Sequence, residues 1–96
     1  MYKMYVLVRR DLSTSQQAVQ AGHAVAELVQ RGLSTDWNGT LIYLGVESEE
    51  MLNRWKSKLA IREIRHVEFR EPDIGDELTA IATVGDGKPF SKLRLL

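Results

Sequence analysis

Cysteine is absent from the chain, which removes disulfide bridges and thiolate chemistry together. Histidine is scarce: the chain holds 2, His23 and His66. A zinc site would have to lean on carboxylates, and no ligand spacing suggests one, so neither a metal nor a cofactor is expected. Surplus charge is missing too, with 13 Lys+Arg against 13 Asp+Glu. A strong non-specific nucleic-acid binder needs a basic excess, and this balance argues against one. No apolar run approaches the roughly 18 residues of a membrane span. The opening Met1-Tyr2-Lys3-Met4 runs into a strand pattern without a signal-peptide layout. The expectation is a cytoplasmic protein that does not engage membranes. Repeats, linkers and low-complexity stretches are also lacking. The 96 residues suffice for one domain, 1–96, which buries only about 60% of its unfolded surface.

The composition that remains is ordinary for a globular chain, 44% hydrophobic and 27% charged. Charge is unevenly distributed. Arg54, Lys56, Lys58, Arg62, Arg65 and Arg70 outweigh Glu63 and Glu68, and the next segment holds Glu71, Asp73, Asp76, Glu77 and Asp86 without a cation. The pair of segments is either a solvated helix face beside a polar loop or a local surface for an anionic partner.

Met4 to Arg9 reads as a buried strand. The hydroxyl-rich loop Arg10 to Ser15 offers caps for a helix from about Gln16 to Arg31, which Gly32 stops. On that helix Val19, Gly22, Ala26 and Val29, with Ala18, Ala21, Val25 and Leu28, form a wide arc of small apolar residues suited to lying close on a sheet. Gln16, Gln20, His23, Glu27 and Gln30 make a polar stripe beside it. Thr40 to Val46 reads as a second strand. Ser48 caps a second helix with Glu49 and Glu50 in its first turn, where the dipole favours negative charge, and with Met51, Leu52, Trp55 and Leu59 as its apolar face. Arg65 to Arg70 and Leu78 to Val84 complete the strands, separated by the turn-rich Glu71–Asp76, and the tail Phe90 to Leu96 is a candidate edge. The order β-α-β-α-β-β implies an α/β fold with crossover units, mostly parallel pairing and one antiparallel partner.

Read together, these pieces resemble the type II peptidyl-tRNA hydrolases. The family's V-R-x-D-L falls on Val8-Arg9-Arg10-Asp11-Leu12 and its Q-x-x-H-A on Gln20-Ala21-Gly22-His23-Ala24. Its Trp and Gly before the second strand fall on Trp37 and Gly39, and a T-x-L-A-I-like stretch on Thr79-Ala80-Ile81-Ala82. A basic L-K-L-L-like tail falls on Lys92-Leu93-Arg94-Leu95-Leu96. The matches run in order through the chain. The resemblance implies a three-layer α/β/α fold with a four-stranded mixed sheet, a homodimer, a tRNA or related anionic partner, and hydrolysis of the ester that joins a peptide to the tRNA 3′ end.

The departures are as specific. The family's catalytic lysine falls on Gln16, and Ser13 to Gln17 contains no lysine. The family's catalytic Asp, aligned on Thr79, falls on Val67, or on Glu68 with a one-residue gap. The chain is also shorter than a full family domain, which implies a trimmed branch.

Ester hydrolysis needs an activated water, donors for the developing oxyanion and a proton for the leaving oxygen. His23 is the first candidate because histidine ordinarily titrates near neutral pH, with Glu27 one turn on to orient it; the alternative is a surface pair of purely structural use. Thr79 is a candidate donor or simply a good strand residue. Glu71 and Asp73 are candidate replacements for the missing Asp, or turn residues around Pro72. Ser13, Thr14 and Ser15 sit at a helix start, where they hold an anion or only cap. Gln16 and Gln20 join them as candidate substrate-binding residues. Arg9, Arg10 and Lys88 are the cations available to stand in for the lysine, although Arg is not equivalent to Lys. Loss of one electrostatic donor costs about 10²–10³ in rate. Two functions therefore stand: an aminoacyl- or peptidyl-tRNA ester hydrolase with altered residues, and a non-catalytic module of the same fold that binds a tRNA end, a nucleotide or a protein.

Overall fold

The computed structural model describes residues 1–96. Its elements are β1 (Tyr2–Arg9), α1 (Thr14–Gln30), β2 (Trp37–Val46), α2 (Glu49–Ile61), β3 (Val67–Glu71) and β4 (Glu77–Gly85), with 3-10 turns at Pro72–Ile74 and Lys88–Phe90. The sequence therefore places every strand and helix in the right order. Both helix starts obey local chemistry: Ser13 Oγ accepts from Gln16 N–H at 3.2 Å, and Ser48 Oγ from Met51 N–H at 3.3 Å.

The sheet order is β2-β1-β4-β3. β1 pairs with β2 in parallel, whereas β4 runs antiparallel to both β1 and β3. This corrects the expectation of mostly parallel pairing. β4 takes the centre because Leu78 to Thr83 are all buried, so its run needs cover on both faces and both edges. β3, which is only half-buried beyond Val67, is left at the edge.

One helix covers each face. α1 packs Ala21, Ala24 and Leu28 on Met4, Val6, Val8, Val67, Ala80 and Ala82. α2 packs Leu52 and Leu59 on Leu7, Leu44, Val46, Leu78 and Ile81, joined by Phe90. The alternation along β1, even residues to α1 and odd residues to α2, is what a strand buried on both sides requires. The tail seals the free edge of β2: Gly45 N–H donates to Arg94 C=O and Leu96 N–H to Tyr43 C=O, both at 3.0 Å.

α1 is turned relative to its expected orientation. Ala21 and Leu28 of the small-residue arc face the sheet, but Ala18, Val19, Gly22, Ala26 and Val29 face outward. Gln20, from the polar stripe, is wholly buried instead. Two well-placed partners for its amide outside the helix, Glu71 and Thr79, decide the rotation. On α2, Met51 stands at the outer border of the apolar face rather than within it.

Leu28 is the largest apolar side chain that α1 buries in the core, at 1% exposure. Leu28→Ala is expected to remove about 2–5 kcal/mol of stability. Urea unfolding checks this as a lower midpoint at unchanged slope.

Candidate functional site

A β-bulge builds the first part of the site. Phe69 pairs with Ala80 and Arg70 with Leu78, so two residues of β4 oppose one step of β3. The extra residue is Thr79. The bulge turns its side chain to the α1 face beside Ala80, while Leu78 remains in the α2-side core. Leu78 N–H is taken by Glu49 Oε2 at 2.9 Å, which ties the start of α2 to the same end of the sheet.

Gln20 is the hub. Its Oε1 accepts from Thr79 Oγ1 at 2.8 Å, and its Nε2 donates to Glu71 Oε2 at 2.8 Å and to Gln16 Oε1 at 3.0 Å. Both amide hydrogens are thus used. Thr79 Oγ1 also lies 3.2 Å from Phe69 C=O. Thr79 has no exposed surface, so it cannot touch a substrate and acts by fixing Gln20.

His23 lies one turn along α1 and is exposed. Its ring stacks on Phe69 with centroids 4.5 Å apart and planes 8° from parallel. Glu27 does not orient it, because Glu27 is engaged by Arg31 at 2.8 Å. Glu71 Oε1 accepts from Asp73 N–H at 3.2 Å. Hydrogen bonding from Gln20, then from Asp73 N–H, holds the Glu71 carboxyl below its ordinary value, and the charge of His23 acts in the same direction. The Asp73 side chain stays in the exposed 3-10 turn.

The structure therefore draws Gln16, Gln20, His23, Glu71 and Thr79 into one constellation, with Phe69 as its floor. Phe69 is the member that sequence reasoning missed, although its alternation with Val67 put it on the α1 face. Gln16 keeps its amide N–H2 free on the exposed side, since only its Oε1 is engaged. Ser13 caps, and Thr14 and Ser15 are exposed along the same first turn.

The cations do not join this group. Arg9 is buried and grips Asp11 through Nε and Nη2, both at 2.9 Å, and Glu77 Oε1 through Nη1 at 2.7 Å, with Leu78 C=O at 3.2 Å. The Asp11 hydrogen bond, and secondly Glu77, raise the Arg9 pKa far above its ordinary value, while Arg9 lowers that of Asp11. Arg9 is a bidentate clamp between the end of β1 and the start of β4 rather than a free cation. Arg10 turns the other way, over Gly45 of β2. Lys88 follows β4 at the opposite end of the sheet, where Gly85 pairs with Lys3.

The constellation is an open surface. The three concavities of the molecule lie beside Leu28 and Arg65, beside Arg10 and Trp55, and beside Thr83 and Phe90. No His, Asp or Glu cluster of metal-binding geometry is present. No helix is long and apolar enough to cross a membrane.

The constellation carries a test of its own electrostatics. Glu71 has a lowered folded pKa, so its stabilising contribution is complete above the ordinary glutamate range and is lost as pH falls through the lowered value. Gln20→Ala is expected to move the Glu71 midpoint up toward the ordinary range in a carboxyl ¹³C NMR titration. An unmoved midpoint would remove Gln20 as the cause.

With this geometry in hand, comparison with known proteins gives three findings. The family model described as Peptidyl-tRNA hydrolase PTH2 matches residues 2–87. A solved structure of a protein of unknown function from Agrobacterium tumefaciens strain C58 is similar at a TM-score of 0.73 and 14% identity, over 99% of this chain and 97% of that one. That likeness is one of fold. Among curated proteins, none matches the chain in sequence.

Proposed function

The chain belongs to the Peptidyl-tRNA hydrolase PTH2 family, and from that premise we propose that it hydrolyses the ester between an acyl or peptidyl group and the 3′ end of tRNA, in the cytoplasm, by a constellation without lysine. The observation that carries this reading is the Gln20 hub, which gathers Gln16, Glu71 and Thr79 next to His23.

In this mechanism His23 takes a proton from the attacking water and returns it to the leaving ribose oxygen. Its stacking on Phe69 restrains the ring without consuming either nitrogen. Glu71, held ionised, favours the imidazolium that forms when the proton arrives. Glu71 itself is a weak base, because the same hydrogen bonds that lower its pKa lower its proton affinity. The free N–H2 of Gln16 is the donor for the developing oxyanion, at the position where the family resemblance puts lysine. A neutral amide stabilises that charge less than an ammonium, so slow turnover is the expectation. Thr79 is a positioning residue here, and Asp73 contributes its backbone N–H to Glu71.

The test is release of the acyl group from an N-acylated aminoacyl-tRNA. His23→Ala is expected to lower the rate by about 10²–10⁴. Turnover equal to the uncatalysed rate with the wild-type protein would reject the hydrolase reading. The non-catalytic module would then stand, favoured by the absence of any cation from the constellation.

We propose also that the protein is a homodimer through the outer face of α1. Ala18, Val19, Gly22, Ala26 and Val29 form a face without charge, and an isologous interface requires a surface compatible with itself. Val19 and Val29, 48% and 45% exposed, are its largest members. The pair Val19→Glu and Val29→Glu is expected to leave a monomer in analytical ultracentrifugation. A wild-type protein that sediments as a monomer at high concentration overturns this part.

A further inference from the structure

The cations missing from the constellation collect elsewhere at the same end of the sheet. A groove of about 210 Å³ lies beyond the ends of β1 and β2, between α2 and the docked tail. Arg10, Lys92 and Arg94 line it against a single carboxylate, Glu47, with Met51 and Trp55 as an apolar wall. None of the three cations is in an ion pair. In a chain of zero net charge this is a local excess of cations over the one carboxylate of the groove.

Two features show that this arrangement is built into the fold. Gly45 lies inside a buried part of β2 with ordinary backbone angles, where glycine weakens a strand. The one thing its missing side chain admits is Arg10: a Cβ there would overlap Nε and Cζ of the guanidinium. The tail is then pinned to β2 by the Gly45 and Leu96 backbone hydrogen bonds, and Arg10 Nη2 donates to Leu95 C=O. The other N–H groups of the Arg10 side chain make no hydrogen bond within the protein and line the groove with Lys92 and Arg94.

The volume falls below the roughly 300–1,000 Å³ of a pocket that encloses a whole small molecule. It suits one charged group of a longer partner. A planar guanidinium with two flanking cations matches a phosphate. β2 and β3 are separated by three strand spacings, about 14 Å in the plane of the sheet, and the groove lies on the α2 face while the Gln20 constellation lies on the α1 face, so a strand that meets both rounds the rim where β1, β2 and β3 end.

We propose that the Arg10–Lys92–Arg94 groove binds a backbone phosphate of a single-stranded RNA segment and so holds the strand whose 3′ end meets the Gln16–His23–Glu71 constellation. The placement of the 3′ end rests on the hydrolase reading; the phosphate site does not.

The test is fluorescence anisotropy of the full chain with a short labelled single-stranded RNA, measured across a salt series. Lys92→Ala and Arg94→Ala are each expected to weaken binding about three- to tenfold and to reduce the log–log salt slope by about 0.7. Gly45→Ala, which displaces Arg10 without removing charge, is expected to weaken binding as well. Circular dichroism confirms that each variant is folded, and Lys92, whose side chain makes no hydrogen bond, keeps the test available if a Gly45 or Arg10 change disturbs the tail. Wild-type protein that fails to bind RNA at low salt, or folded variants with wild-type affinity and slope, overturn the inference. Groove-dependent RNA binding by a protein that turns over no ester supports the phosphate site and rejects the hydrolase reading alone. Turnover with groove-independent RNA binding does the reverse.

Discussion

A buried side-chain amide is the constraint on which much of this structure depends. Gln20 is 0% exposed, and an amide removed from water must find partners for two donors and an acceptor. Each group left unpaired would cost about 1–3 kcal/mol. All are paired here, and their positions dictate the surroundings. Thr79 reaches Oε1 only because a bulge throws it onto the α1 face. Glu71 reaches Nε2 only because β3 ends beside the first half of α1. The rotation of α1 follows, since Gln20 and Ala21 cannot both face the sheet unless Val19 and Gly22 face away. No buried side-chain polar atom in the protein lacks a partner, so the amide is accommodated without residual cost of this kind.

The same constraint shapes the electrostatics. A hub made of amides and a hydroxyl organises a carboxylate without a counter-cation. Glu71 keeps its charge chiefly through neutral donors, whose hydrogen bonds lower its pKa more than the charge of His23 does. The nearest arginine at the end of β1, Arg9, is unable to help because Asp11 and Glu77 saturate it. That clamp instead joins the end of β1 to the start of β4, next to the bulge. A cation in that place stabilises the very bend that delivers Thr79 to Gln20. The protein thus commits its buried charge to the site's frame, and the site itself is left with neutral donors, one carboxylate and one imidazole.

Much of this is legible in the sequence, but only where the cause is local. Ser13 and Ser48 declare their helices because capping involves a hydroxyl and an N–H three residues apart. The strands show through β-branched and apolar runs. The Q-x-x-H-A and T-x-L-A-I-like stretches bring Gln20, His23 and Thr79 forward as a set, and Glu71 stands out in its loop. What is hidden depends on contacts between distant residues. The small-residue arc of α1 looks like a core face by hydropathy, and only the Thr79 and Glu71 partners, 59 and 51 residues away, reveal that Gln20 goes inward. The bulge leaves no mark in composition. The insertion of β4 between β1 and β3 cannot be read from element order. Arg9 looks available in the sequence because a motif spacing to Asp11 does not announce a bidentate pair.

An open site of this composition has a physical consequence for its substrate. Oxyanion stabilisation gains strength where water is excluded, and no wall of this protein closes over His23 and Gln16. Under the hydrolase reading proposed above, the cover comes from the substrate, which favours a large, stiffly held one over a small ester. A small ester would sample many orientations on an exposed surface and would gain little from proximity. A polymer fixed at a second point loses that freedom before the reacting bond arrives. The arrangement of strands bears on this: β1, β2 and β3 all point their C-terminal ends to one rim, so the imidazole of α1 and the cations beyond β2 meet at that rim from opposite faces of the sheet. Binding energy taken up at that distance is then available to orient the reacting bond, which is how a weak set of donors can still act on a long substrate.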